Sequence, residues 1–216
     1  MKTSSLWGAP QSRYYRFLQR IQEVTESPNP ALAVIGCADG KYVLPAARKG
    51  FTVWANDIDE VALFGGTKTD ASGEVLMPGL ASRLKSEGLE DSVEVVHGDF
   101  MENCPDRTFD AVFTSGALQY SNNLHHTLEE MVTKVGSLVR PGGLLYIDYM
   151  LPYEEKYKGR PTCPDAGWWK EYFESRDEWD VKHNRVMPPT LDRAHVEYPV
   201  DHYHQWGHLL AERVRA

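Results

Sequence analysis

Through the first 150 residues, short continuous apolar runs alternate with segments whose apolar residues recur every three or four positions. Residues 11–24, QSRYYRFLQRIQEV, carry Tyr14, Phe17, Leu18, Ile21 and Val24 at that spacing and predict an amphipathic helix, ended by SPNP. ALAVIG then forms a continuous apolar run closing on glycine, the mark of a strand buried on both faces. KYVLPAARKG predicts the helix after it, with Gly50 as its stop, and Phe51 to Ala55 a second strand ending in Asn56-Asp57. From Val61 to Gly88 a polar, glycine-rich part (GGTKTDASG) precedes an amphipathic part (GLASRLKSEG), which predicts a loop and then a helix. Ser92 to Val96 is the third predicted strand and Phe109 to Thr114 the fourth. A helical stripe of Leu124, Leu128, Met131, Val132, Val135, Leu138 and Val139 stops at Pro141-Gly142-Gly143, before a fifth strand at Leu144 to Tyr149.

This alternation predicts an α/β, doubly wound, mostly parallel sheet whose ligand crevice lies at the carboxyl ends of its strands. Beyond residue 150 the chain turns aromatic, with Trp168, Trp169, Tyr172 and Phe173 on a predicted helix, a strand at Trp179 to Val186 and a last strand from His204 to Val214. MPPTLDRAHVEYPVDHYH between the two strands predicts a long loop with short strands in it. The expectation is one Rossmann-like domain over 1–216 with seven strands, the last antiparallel. Residues 1–29 form a lid helix, 30–150 a cofactor core and 151–216 an acceptor-side cap.

Composition narrows the partner. A formal net charge of −8, with 23 Lys and Arg in no evident run, disfavours a nucleic-acid partner, which needs a positive face. No stretch approaches the ~18 apolar residues of a membrane span, so no membrane partner is expected. Three cysteines without CxxC spacing, behind an N-terminus lacking a signal-peptide core, point to a reducing cytoplasmic setting. A small-molecule substrate fits this balance, whereas oligomeric state is not readable.

The candidate chemistry sits at the strand ends. Gly36-Cys37-Ala38-Asp39-Gly40 follows the first strand, where the chain must turn sharply and let a ligand approach its backbone. Asp57, about twenty residues on, is placed to accept from two ribose hydroxyls. Asp99-Phe100 closes the third strand, and Ser115 bends the FDAVFTSGALQY stretch after the fourth. A nicotinamide or flavin loop is the poorer reading, because Val43 stands where its third glycine belongs.

In this order of elements and strand-end residues the chain resembles the class I S-adenosylmethionine-dependent methyltransferases. Its aromatic helix and WGHLLAERV ending are similar, more weakly, to the small tellurite-resistance and thiopurine methyltransferase group. The resemblance implies S-adenosylmethionine as cofactor, touched by Tyr15, Gly36, Cys37, Ala38, Asp39, Gly40, Asp57, Ile58, Asp99, Phe100 and Ser115. Asp99 would take the adenine amino group, Phe100 would offer its amide and ring edge, and Tyr15 would serve as lid. An acceptor site is expected among Gln119, Tyr149, Trp168, Trp169 and Tyr172, with Tyr120, His202 or His204 accepting a proton where the acceptor must lose one.

Two positions depart from the family pattern. The acid that helps hold the methionine ammonium is replaced by Val34, for which Asp39 is a candidate substitute, and a loop glycine is replaced by Ala38, tolerable if its φ is negative. The expected reaction is methyl transfer to a small-molecule nucleophile. Alternatives are attack on the aminocarboxypropyl arm, even intramolecular with release of methylthioadenosine, and binding without chemistry. No metal is expected. His202 and His204 share one strand face and His208 follows, but Asp201 is the one carboxylate at a suggestive distance, and loop histidines are commonly solvated.

Overall fold

The computed structural model describes residues 5–70, 73–120, 125–194 and 200–215, with the side chains of Asp70 and Tyr120 also outside the description. The described residues fall into two compact units. One holds those up to Asp106 together with Ala194 and Val200; the other holds those from Arg107 to Arg193 and from Asp201 on.

In the first unit α1 (Ser12–Val24) buries Tyr14, Phe17, Leu18 and Ile21 of the predicted stripe and leaves Val24 half-buried at its end. Fully burying side chains of this size contributes roughly 1.5–3 kcal/mol each. Strands β1 (Ala31–Ile35), β2 (Thr52–Asp57) and β5 (Val93–His97) pair in parallel, β1 on β2 and β2 on β5, with α2 (Val43–Ala47) after β1. Leu32 to Ile35 are all buried, as a strand covered on both faces requires.

The segment after β2 differs from expectation. α3 (Glu60–Phe64), capped by the Asp59 carboxylate on the Ala62 amide, leads into an antiparallel hairpin of β3 (Gly66–Asp70) and β4 (Gly73–Met77), and then α4 (Leu80–Glu87). The stretch GGTKTDASG, expected as loop, therefore supplies β3 and the start of β4. Its strands escaped notice because this two-stranded hairpin outside the main sheet buries little beyond Met77, and so carries no apolar alternation. The short α5 (Phe100–Asn103) follows β5.

In the second unit β6 (Phe109–Ser115) and β7 (Val139–Leu151) are parallel, joined through α6 (Ala117–Tyr120) and α7 (Leu128–Ser137). α7 starts at a capping box in which the Thr127 hydroxyl accepts from the Glu130 amide while the Glu130 carboxylate accepts from the Thr127 amide. The helix ends before Leu138 and Val139, which the stripe had included, and Leu124 lies outside the described residues. Pro141-Gly142-Gly143 sits inside β7, where the register shifts, instead of stopping a helix.

α8 (Ala166–Glu174) and β8 (Trp179–Val186) lie where predicted. β10 (His202–Arg213) runs antiparallel to β7, to β8 and to the three-residue β9 (Thr190–Asp192). Among the described residues seven strands stand beside the hairpin, as expected, with the three-residue β9 added against β10; the fold is α/β, with β10 as its antiparallel strand. Among the described residues no helix is long and apolar enough to cross a membrane.

Candidate active site

In the first unit the loop after β1 is held from both sides. Gly36 and Gly40 have φ of 70° and 91°, and Ala38 has φ of 46°. The condition of a negative φ at Ala38 is therefore not met: the loop keeps the left-handed turn of a glycine and carries a methyl group there, at a cost of roughly 1–2 kcal/mol. The Ala38 amide donates to Asp57 Oδ2 at 2.7 Å, and Asp57 Oδ1 accepts from the Asp59 amide at 2.9 Å. The half-buried Asp57 carboxylate thus fixes the loop as well as standing at the end of β2.

Asp39 is placed differently from a cofactor-facing acid. It is buried, accepts from Ser5 Oγ at 2.5 Å and from the Leu6 amide at 2.9 Å, and pairs with the buried Arg83, whose guanidinium also donates to the Asp39 carbonyl. Burial pulls the Arg83 guanidinium down against the pull of Asp39. This carboxylate braces the loop against α4 and the N-terminal segment. Val34 is wholly buried, and Cys37, also buried between acidic neighbours, has its thiol pushed well up, first by desolvation and then by Asp57.

The adenosine end rests on a residue that sequence reasoning passed over. Buried Asn56 donates its side-chain amide to the carbonyls of Val96 (3.1 Å) and Gly98 (2.9 Å), and the Gly98 amide donates to the Asp57 carbonyl at 2.9 Å. The ends of β2 and β5 are thereby locked together, with Asp57 and Asp99 one on each. Asp99 caps α5 by accepting from the Met101 amide, and Phe100 occupies the first helical position, where an amide has no intrahelical acceptor. Ile58 is exposed beside Asp57, and its carbonyl meets His97 Nε2 at 3.1 Å. Tyr15 is exposed on α1, while Tyr14 beside it is buried and donates to the Tyr42 carbonyl.

The donor set fits S-adenosylmethionine. Two carboxylates at adjacent strand ends suit ribose hydroxyls and an adenine amino group, and a left-handed loop brings backbone rather than side chain to the ligand.

In the second unit most of the expected acceptor residues are packed into the interior. Trp169 is fully buried and stacks on Tyr149 at 4.5 Å between centroids. The Tyr149 ring lies over Gly207, where a Cβ would come within 2.0 Å of it, and burial pushes its hydroxyl up to about 12. Tyr172 lies between Trp168 and the Arg176 guanidinium, with its hydroxyl 2.8 Å from Thr133 Oγ1. Gln119 is stapled to the Met150 backbone through both its amide atoms. Tyr120 closes α6, with its side chain outside the described residues.

Three side chains line up instead across β6, β7 and β10. Ser115, Asp148 and His208 share a register row; Ser115 Oγ donates to Asp148 Oδ2 at 3.1 Å, and His208 Nδ1 bonds Asp148 Oδ1. His208 is buried, and among the described residues its Nε2 has no hydrogen-bond partner. The signal was present in sequence as an aspartate inside the apolar LLYIDYML, but its partner lies 60 residues away.

His202 and His204 are not solvated loop residues: both are buried on β10, 4.5 Å apart between ring centroids. His204 Nδ1 lies 2.7 Å from Asp192 Oδ2 and its Nε2 3.2 Å from the Tyr157 hydroxyl. Desolvation lowers the His204 pKa despite the opposing pull of Asp192. Asp201, the carboxylate expected near them, pairs with Arg193.

No curated protein matches the sequence. Solved structures share its fold. TehB from Haemophilus influenzae aligns over 94% of this chain at TM-score 0.66 and 12% identity, and the chain spans 62% of the TehB chain. The [4+2]-cyclase SpnF aligns over 93% of this chain and 81% of its own at TM-score 0.63 and 14% identity. Magnesium protoporphyrin IX methyltransferase (ChlM) from Synechocystis PCC 6803, solved with bound SAH, aligns over 96% and 90% at TM-score 0.62 and 12% identity. A family profile described as "Methyltransferase domain" matches residues 33–147, more than half of the chain. The chain therefore belongs to the methyltransferase-domain family, with the class I fold and S-adenosylmethionine as the cofactor of that family.

Proposed function

We propose that the protein transfers the methyl group of S-adenosylmethionine to a small-molecule nucleophile in the cytoplasm. The observation that carries this reading is the place of Asp57 at the end of β2, where its carboxylate accepts from the loop amide of Ala38 and from the Asp59 amide and so ties the glycine loop to the strand end that a ribose would meet. In this reading Asp57 and Ile58 bind the ribose, Asp99 and the Phe100 amide the adenine, and the backbone from Gly36 to Gly40 the methionine tail. Tyr15, exposed on α1, is the lid, and Ser115 a polar contact.

The cofactor supplies an electrophilic methyl group on a charged sulfonium, so the protein's task is to orient the reactants in line and exclude water. Where the acceptor must lose a proton, His208 is the favoured base. Its Nδ1 is fixed by Asp148, and its Nε2 is the nitrogen that can receive the proton.

A second reading, reaction at the aminocarboxypropyl arm, is supported by one observation: Val34 is buried and apolar, and the Asp39 carboxylate is engaged by Arg83, Ser5 and Leu6, which favours an altered grip on the amino-acid tail. SpnF, a [4+2]-cyclase, illustrates that one fold serves different reactions. Mass spectrometry of the protein incubated with S-adenosylmethionine separates the readings. Methyl transfer leaves the cofactor intact alone and gives S-adenosylhomocysteine with an acceptor; attack on the arm gives methylthioadenosine, without an acceptor where the cofactor's own amine or carboxylate is the nucleophile and with one where the acceptor takes the aminocarboxypropyl group. Consumption under neither condition leaves a binder without chemistry.

A further inference from the structure

We propose that Asp192, His202 and His204 form a binding site for one divalent transition-metal ion of the zinc class, built on the β9–β10 ribbon. One ligand atom from each of the three residues lies within 4.8 Å of the other two. The strand geometry explains the convergence. His202 and His204 are two apart on β10 and so project from the same face, and Asp192 is the cross-strand partner of His202.

Ligands around a tetrahedral zinc, with bonds of about 2.0–2.1 Å, stand roughly 3.3 Å from one another. The cluster therefore needs its widest separation to close by up to about 1.5 Å and the 2.7 Å contact of His204 Nδ1 with Asp192 Oδ2 to open by about half an ångström, with no change of strand pairing. Two imidazoles and one carboxylate are a nitrogen and oxygen set that suits zinc, cobalt or ferrous iron better than magnesium or calcium.

The surroundings supply what a metal-bound histidine requires. With His204 coordinating through Nδ1, where Asp192 now lies, its Nε2–H faces the Tyr157 hydroxyl at 3.2 Å. That contact fixes tautomer and ring plane, as the outer partners of metal-bound histidines do. Both rings are buried, so the unfolded chain does not present the pair preformed. Three protein ligands leave at least one position for water or an exogenous group. The inference does not depend on which reaction the cofactor serves.

The test uses tag-free protein treated with a chelator and dialysed, then titrated with zinc by calorimetry and with cobalt by visible absorption. The expected result is one ion per chain, with cobalt d–d bands of four- or five-coordinate intensity. Affinity should fall about 100-fold or more in His204→Ala and His202→Ala, and clearly in Asp192→Asn, which keeps the shape of the side chain. Asp201→Asn, altering the neighbouring exposed pair with Arg193, should bind as the native protein does. Circular dichroism identifies any variant that fails to fold, and Asp192→Asn then carries the comparison. The proposal is overturned if the native protein takes up no ion, or if folded variants of the three residues bind as tightly as the native chain.

Discussion

Replacing Asp57 with alanine removes the one carboxylate that serves both the loop and the proposed ribose site. Two amides, those of Ala38 and Asp59, lose acceptors at 2.7 and 2.9 Å. Hydrogen bonds to a charged group contribute about 1.5–3 kcal/mol each, and Asp57 is half-buried, so water recovers part of the loss. A destabilisation of about 2 kcal/mol follows, which for a chain of 216 residues lowers the melting temperature by roughly 4–8 °C. Loss of the ribose contact adds a weakening of cofactor binding by more than about 1.5 kcal/mol, or upwards of tenfold in Kd. Asp57→Asn separates the two effects, since its remaining carbonyl can keep one amide satisfied while the charge is lost. It should melt between native and alanine variants and still bind S-adenosylhomocysteine weakly. Urea unfolding and calorimetric titration read the two quantities independently. An alanine variant that melts with the native protein and binds S-adenosylhomocysteine equally well would refute both roles.

Three further outcomes follow from the same geometry. Arg83→Met strands the buried Asp39 carboxylate and should cost about 3–5 kcal/mol in denaturant unfolding, with faster tryptic cleavage at Arg13 and Arg16; a loss below 1 kcal/mol would contradict the brace. Thiol labelling of the native protein should begin at Cys104, because Cys37 and Cys163 are buried, and burial pushes the Cys163 thiol up to about 11. Peptide mapping that finds Cys37 or Cys163 labelled first would overturn this order. His208→Asn should slow transfer to acceptors that must lose a proton while leaving S-adenosylhomocysteine affinity intact. An unchanged rate with such acceptors would remove the base role.

Much of the fold was legible because buried parallel strands and amphipathic helices leave periodic apolar signatures. ALAVIG and the α1 stripe are examples. The β3–β4 hairpin was not legible, since its strands pair with each other and bury too little to impose alternation. In the site, Asp57 and Asp99 could be marked by their place at strand ends, but their supports could not. Asn56 reaches the Val96 and Gly98 carbonyls, and Arg83 reaches Asp39, across about forty residues of chain. The aromatic helix shows the opposite limit: composition marked Trp169 and Tyr172, and packing alone decides that they turn inward onto Tyr149 and Thr133. Likewise the His-x-His spacing gave the shared face, while the third member, Asp192, is set by the β9–β10 register.

The central claim is that the loop, Asp57 and Asp99 form a site for S-adenosylmethionine rather than for a dinucleotide. Calorimetric titration of the native chain with S-adenosylhomocysteine and, separately, with NAD tests it most directly. The account predicts saturable binding of S-adenosylhomocysteine at one site per chain and no saturable heat with NAD. Saturation by NAD, or none by S-adenosylhomocysteine, would contradict it.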